Sequence, residues 1–163
     1  MLHHTLSFAT ENETAAFGAA LAPLLGPGDV LLLEGEIGAG KTHFARSLIK
    51  ARLASAGVDE DVPSPTYTLI QTYDDRICEI WHADLYRLSD PAEYLELGLD
   101  EAFETAVCLV EWPEALGPFR PDHALTLAFE IGRDPQRRTV QVRGPKGRWE
   151  KTLRQATGSL RTT

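Results

Sequence analysis

Gly35-Glu36-Ile37-Gly38-Ala39-Gly40-Lys41-Thr42 decides the reading of this chain, because it spells G-x-x-x-x-G-K-[ST] with a further glycine inside it. The apolar run Val30-Leu31-Leu32-Leu33 precedes it and Phe44-Ala45-Arg46-Ser47-Leu48-Ile49 follows. The loop is therefore expected between a strand and a helix, the context that gives the motif its meaning. Backbone N–H groups wrap an anion only where side chains stand clear, and Gly38 and Gly40 supply that backbone freedom. A helix starting near Lys41 aims its unpaired amides and its positive dipole end at the same point. On this pattern Glu36, Ile37, Gly38, Ala39, Gly40, Lys41 and Thr42 are the expected contacts of a nucleoside triphosphate. Lys41 would reach the β- and γ-phosphates, and the Thr42 hydroxyl would bind Mg²⁺.

A chain of 163 residues with 43% hydrophobic content is long enough to close a core without staples. A single domain is expected over residues 1–157, with a frayed tail over 158–163. No charged-then-apolar leader and no apolar run near membrane length is present, so a cytoplasmic protein is expected. Cys78 and Cys108 each sit in a strand-like apolar run and read as buried free thiols in a reducing compartment. The net charge of −8 hides an asymmetry: residues 1–132 carry 7 Lys+Arg against 22 Asp+Glu, and residues 133–163 carry 9 against 2. An acidic body argues against broad nonspecific binding to nucleic acid, which requires neutralised phosphates. The basic end is a solvated face or a contact for a phosphate or an acidic partner.

In chain order, His4 to Phe8 alternates as a short strand, and Thr10-Glu11-Asn12-Glu13 spells a capping box for a helix that stops at Gly26-Pro27-Gly28. After the helix of the phosphate loop comes Pro63-Ser64-Pro65-Thr66-Tyr67. Two prolines fix the backbone there, and either Ser64 or Thr66 is placed to sense a γ-phosphate, or the segment is a rigid turn. Tyr67 to Tyr73 and Ile77 to Ala83 flank Asp74-Asp75-Arg76 as a hairpin, so the sheet is expected to be mixed.

The second of these strands ends at Asp84, as readily a helix cap as a metal ligand on its own spelling. Asp90-Pro91-Ala92-Glu93 begins a helix that Gly98 closes. Val107-Cys108-Leu109-Val110-Glu111 reads as a strand buried on both faces with a carboxylate at its end. Glu111 would touch Mg²⁺ directly or through water, or polarise the attacking water. Trp112 beside it packs, covers the site or docks a partner. A second hairpin runs from Ala124 to Ile131 and from Thr139 to Val142, with Arg133, Arg137 and Arg138 at its turn, and a last amphipathic turn or two follows Gly147.

Four blocks in order resemble the TsaE family, bacterial ATPases required to make threonylcarbamoyl-adenosine in transfer RNA. They are the phosphate loop, Ser64-Pro65-Thr66-Tyr67-Thr68-Leu69, His82-Ala83-Asp84-Leu85-Tyr86-Arg87-Leu88, and Leu109-Val110-Glu111-Trp112-Pro113. The resemblance implies a three-layer α/β fold of the P-loop NTPase kind around a mixed central β-sheet. It further implies ATP with Mg²⁺, metal contacts from Thr42, Asp84 and Glu111, and a role for Trp112 near nucleotide or partner. It places Ala9 and Thr10 on the adenine side and Arg137 and Arg138 on the other flank. Ala83 stands where the family usually has an aromatic residue and His43 where it commonly has Thr.

By the same resemblance the partners are TsaB and TsaD, with tRNA engaged through that complex and no membrane involved. The first reading is thus an ATPase, slow alone, whose hydrolysis resets the modification complex. One alternative is a small-molecule kinase with Arg133, Arg137 and Arg138 as a lid. The other is a nucleotide-gated binding module in which hydrolysis is not essential.

Overall fold

Runs that are apolar at every position need burial on both faces, and the strand carrying Val30 to Leu33 obtains it at the middle of a seven-stranded sheet. The structure, a computed structural model, describes residues 1–65 and 68–161, with side chains through residue 158. The strands are β1 (Leu2–Phe8), β2 (Val30–Glu34), β3 (Ile70–Asp74), β4 (Glu79–Asp84), β5 (Val107–Glu111), β6 (Leu125–Ile131) and β7 (Arg138–Gly144). The helices are α1 (Glu11–Leu21), α2 (Lys41–Ser55), α3 (Glu93–Glu96), α4 (Leu99–Thr105) and α5 (Lys146–Arg161).

The sheet order is β1-β7-β6-β2-β5-β4-β3. β2 pairs parallel with both β5 and β6, and β4 pairs parallel with β5. The hairpins β3/β4 and β6/β7, and the pair β1/β7, are antiparallel. The sheet is mixed, as the two hairpins require, and the fold is three-layered α/β. Alternate residues of β2 divide between the layers. Leu31 and Leu33 join Phe17, Phe44, Leu48, Trp149 and Leu153 beneath α1, α2 and α5. Val30 and Leu32 join Leu99, Phe103 and Leu116 on the other face. Burying each such Leu or Phe side chain contributes about 1.5–3 kcal/mol, so both layers are anchored on β2 and β5.

The expected cap forms at α1, with the reciprocal bond shifted one residue, to Ala9. The amide of Glu13 donates to Thr10 Oγ1 at 3.3 Å, while the Glu13 carboxylate accepts from the Ala9 amide at 2.6 Å. Three stretches of the chain differ from expectation. The helix expected to end at Gly98 is only the single turn α3, and Gly98, at φ 81°, turns the chain into α4, which the sequence reading passed over. α5 runs 16 residues rather than a turn or two, because Trp149, Leu153 and Ala156 recur on one face and pack on the α1–α2 layer. β3 and β4 start later than expected, at Ile70 and Glu79. Asp75 Oδ1 accepts from the amides of Ile77 and Cys78 and holds those residues in the turn.

Both cysteines are free thiols. Cys108 is buried in the sheet, where loss of solvent pushes its thiol up to about 12. No helix among the described residues is long and apolar enough to cross a membrane.

Candidate functional site

Parallel strands emerge at one end of a sheet, and here β2, β4 and β5 deliver their last residues side by side. Leu33 is level with Glu111, and Glu111 with Asp84. That edge is where ligands sit in open α/β sheets. The loop leaving β2 bends over it into α2. Gly35, at φ 139°, is the tightest point: a Cβ there would stand 2.6 Å from the Phe129 carbonyl oxygen. Gly38, at φ 83°, has nothing within 4 Å of a built Cβ, so its backbone angle rather than crowding calls for glycine. α2 begins directly at Lys41 with Gly40 before it and no side-chain cap. The amides of its first turn therefore lack helical acceptors and are available to an anion.

Ile37, Gly38, Gly40, Lys41, Thr42, Asp84, Glu111 and Trp112 line one cavity of about 280 Å³, joined by Tyr86 and Arg87. A larger cavity, of about 580 Å³, lies between Arg46 and Lys50 of α2 and the acidic loop Asp59-Glu60-Asp61, and contains none of the phosphate-loop residues.

Lys41, Asp84 and Glu111 are buried in the first cavity. Thr42 Oγ1 donates to Glu111 Oε1 at 2.6 Å, and His82 Nε2 lies 2.7 Å from Glu111 Oε2. Asp84 accepts at Oδ1 from the Tyr86 amide at 3.1 Å. Its own amide donates to the Leu69 carbonyl at 2.8 Å. Burial raises the Asp84 carboxyl above its ordinary value; the Tyr86 amide opposes this and the Glu111 charge adds to it. Lys41 Nζ bonds the Gly35 carbonyl and sits 3.6 Å from the centre of the Trp112 ring. Burial lowers its pKa, against the pull of Glu111, Glu114 and Asp84. Trp112 reaches this position from the left-handed region, at φ 56°, and packs on Tyr86 with ring centres 5.0 Å apart.

Glu36, Ala39, Ala9, Thr10, Ser64, Arg137 and Arg138 are not among the residues lining the cavity. Glu36 is exposed, and Ala39 is buried within the loop. Phe8 pairs with Arg138 across β1 and β7, which brings Ala9 and Thr10 to the same end of the sheet as the second hairpin turn. Of the three turn arginines, Arg138 reaches the phosphate loop, donating through Nε to the Ala39 carbonyl at 3.0 Å and through Nη2 to that of Gly38 at 3.3 Å. Arg133 and Arg137 are exposed, with no described bond to the loop. Ser64 is exposed on the segment before β3, and Thr66 lies outside the described residues.

His82, Tyr86 and Arg87 were missed as site residues. His82 is fully buried on β4, and a histidine two positions before a strand-end acid was the signal.

The donor set can be tested against a metal. Thr42, Asp84 and Glu111 offer oxygen only, which suits a hard cation. Among the described residues no group of three or more His, Cys, Asp or Glu could cage an ion unaided. That combination fits Mg²⁺, which is held by one or two carboxylates together with phosphate oxygens and water.

A mixed sheet with a glycine-lined loop over the ends of its central strands defines a phosphate-loop protein of the α/β NTPase-like class. The chain belongs to the TsaE family: the model of threonylcarbamoyl adenosine biosynthesis protein TsaE matches residues 8–140. The tRNA threonylcarbamoyladenosine biosynthesis protein TsaE of Rickettsia bellii is 37% identical over 137 residues, covering 84% of this chain and 93% of its own. The protein of that name in Bacillus subtilis is 39% identical over 126 residues, covering 77% of this chain and 76% of its own. The crystal structure of Bacillus subtilis YdiB superposes with a TM-score of 0.78 at 28% identity, covering 97% of this chain and 96% of that one.

Proposed function

We propose that this chain binds ATP with Mg²⁺ in the cavity over β2, β4 and β5 and hydrolyses it slowly. Hydrolysis supports turnover of a TsaB–TsaD complex that installs threonylcarbamoyl-adenosine in tRNA. The observation that carries the reading is the Thr42–Glu111 hydrogen bond with Asp84 beside it, set under the phosphate loop. Relatives named for the same biosynthesis support the pathway.

The loop amides and the first turn of α2 bind the phosphates, and Lys41 exchanges the Gly35 carbonyl and the Trp112 face for the β- and γ-phosphate oxygens. Mg²⁺ bound at Thr42 supplies charge neutralisation on those oxygens. Glu111 already has an oxygen committed to each of Thr42 and His82. Among the described residues the Asp84 carboxylate accepts one bond, from the Tyr86 amide. Asp84 would therefore be the carboxylate left to hold Mg²⁺ directly, and Glu111 would act through the Thr42 hydroxyl and by orienting water.

Ala9 and Thr10 wall one side of the adenine, and Arg137 and Arg138 the other. The segment holding Ser64 and Thr66 reports the γ-phosphate through the Leu69–Asp84 backbone bond. Ile37 and Tyr86 are exposed at the mouth beside Trp112 and offer apolar surface to the partner proteins. The acidic body keeps tRNA contact with the complex rather than with this chain.

Reconstitution with TsaB, TsaD and tRNA tests the reading. Lys41→Ala and Glu111→Ala should each abolish multiple-turnover modification, and intact modification with both would refute it. If Glu111→Ala alone sustained many cycles, nucleotide gating without essential hydrolysis would replace catalysis.

A further inference from the structure

His82 is fully buried on β4, level with Leu109 of β5, and its Nε2 lies 2.7 Å from Glu111 Oε2. Its other ring nitrogen, Nδ1, is buried and has no hydrogen-bond partner among the described residues. Packing alone does not explain such a residue. Ile80 on the same strand and Val107 and Leu109 on the neighbouring one fill the interior without leaving a polar atom unpaired. A buried imidazole that leaves one nitrogen orphaned is kept for what the other nitrogen does.

A carboxylate only accepts, so the Nε2 of His82 carries the hydrogen and donates it to Glu111. The other Glu111 oxygen is then left to the Thr42 hydroxyl. We infer that His82 is a positioning residue for the metal-dependent site: it fixes the rotation of the Glu111 carboxylate so that Oε1 receives the Thr42 hydroxyl hydrogen. That bond turns a lone pair of Thr42 Oγ1 toward the cavity. His82 touches neither nucleotide nor cation, and its effect passes through Glu111. A hydrogen-bonded second layer of this kind is worth roughly 10–100-fold in metal affinity or activity. The inference rests on the proposed Mg-ATP site.

Two measurements on the full chain test it. In protein labelled with ¹⁵N at histidine and free of nucleotide, NMR should find His82 in the Nε2–H form. Its ring proton should exchange slowly and shift in Glu111→Gln; an Nδ1–H tautomer would overturn the inference without any change at His82.

The second measurement is the ratio of ATP affinities with Mg²⁺ and with chelator. His82→Gln places an amide nitrogen the same number of bonds from the backbone as Nε2, whereas His82→Asn falls one bond short. The Gln variant should keep the ratio within about threefold of wild type, and the Asn variant should lower it by about tenfold or more. In a Glu111→Gln background, His82→Asn should lower it no further. An unchanged ratio in His82→Asn, or an equal loss in both backgrounds, would overturn the positioning role. A wild-type protein whose ATP affinity ignores Mg²⁺ would instead overturn the metal site itself, and this inference with it.

Discussion

Thr42 Oγ1 donates to Glu111 Oε1 at 2.6 Å, tying the first turn of α2 to the last residue of β5. The two residues stand 69 positions apart in the chain and meet because β2 and β5 are parallel neighbours whose ends coincide. Thr42→Val keeps the shape and removes the hydroxyl. It should reduce ATP turnover by roughly 10²-fold or more, while Thr42→Ser stays near wild type. Phosphate release at saturating Mg²⁺ checks this, and equal activity of the Val and Ser forms would deny the hydroxyl a role.

Lys41 rests on the Trp112 ring, 3.6 Å from its centre. A lysine drawn to phosphate must leave that face, so Mg-ATP should change Trp112 emission, and Trp112→Phe should remove the change. Such a contact is worth about 0.5–2 kcal/mol, so Trp112→Ala releases a competitor for Lys41 while removing a wall of the site. Stopped-flow fluorescence resolves the step, and a signal that survives Trp112→Phe would assign it to Trp81 or Trp149.

Arg52 and Asp75 form a buried ion pair at 2.6 Å, and Arg52 also donates to the carbonyls of Ala22 and Leu25. Burial works against the charge on Asp75, but amide bonds from Cys78 and Ile77 together with Arg52 outweigh it and hold the carboxyl below its ordinary value of 3.8. A carboxyl lowered on folding contributes stability that is complete above the ordinary value and is lost as pH falls through the lowered one. Asp75→Asn should therefore flatten the acid limb of the stability curve below about pH 4. Arg52→Met leaves the carboxylate buried and unpaired and should cost on the order of 3–5 kcal/mol. Urea unfolding as a function of pH measures both.

Gly35→Ala would drive a methyl to 2.6 Å from the Phe129 carbonyl oxygen at a backbone angle that alanine avoids. Because the obstacle is backbone, a loss of about 2–3 kcal/mol is expected, with the phosphate loop displaced. Gly38→Ala has open space around it and should harm nucleotide affinity more than stability. Thermal unfolding and ATP binding, measured on both variants, separate the two effects.

The mixed sheet was legible because β2 and β5 are apolar at four successive positions and two turn-bounded alternations demanded hairpins. α4 was not, since a glycine at position 98 reads as a stop, whereas its left-handed angle serves equally to start the next helix. α5 was hidden by its charge: the basic residues that suggested a solvated face alternate with Trp149, Leu153 and Ala156, which are buried.

Glu111 was legible from its place at the end of a buried strand, whereas Asp84 read equally as a helix cap until the family resemblance marked it as a metal ligand; the sheet register brings the two side by side. The contacts of His82 and Arg138 depend on which side of a strand or turn faces the loop. For Arg138, at a turn, spacing along the chain carries no record of that, whereas the two-residue step from His82 to Asp84 places both on one face of β4. The expected three-arginine cluster separates accordingly: Arg138 bonds loop carbonyls, and Arg133 and Arg137 remain on the turn surface.

The central claim is that the amide-lined hollow ahead of Lys41 takes up the triphosphate of Mg-ATP. Isothermal titration of folded protein with ATP and Mg²⁺ tests it most directly. One nucleotide per chain should bind, with affinity falling at least tenfold in Lys41→Ala and weakening when Mg²⁺ is chelated. Folded wild-type protein that takes up no Mg-ATP, alone or with TsaB and TsaD, or a Lys41→Ala variant that binds equally well, would contradict it.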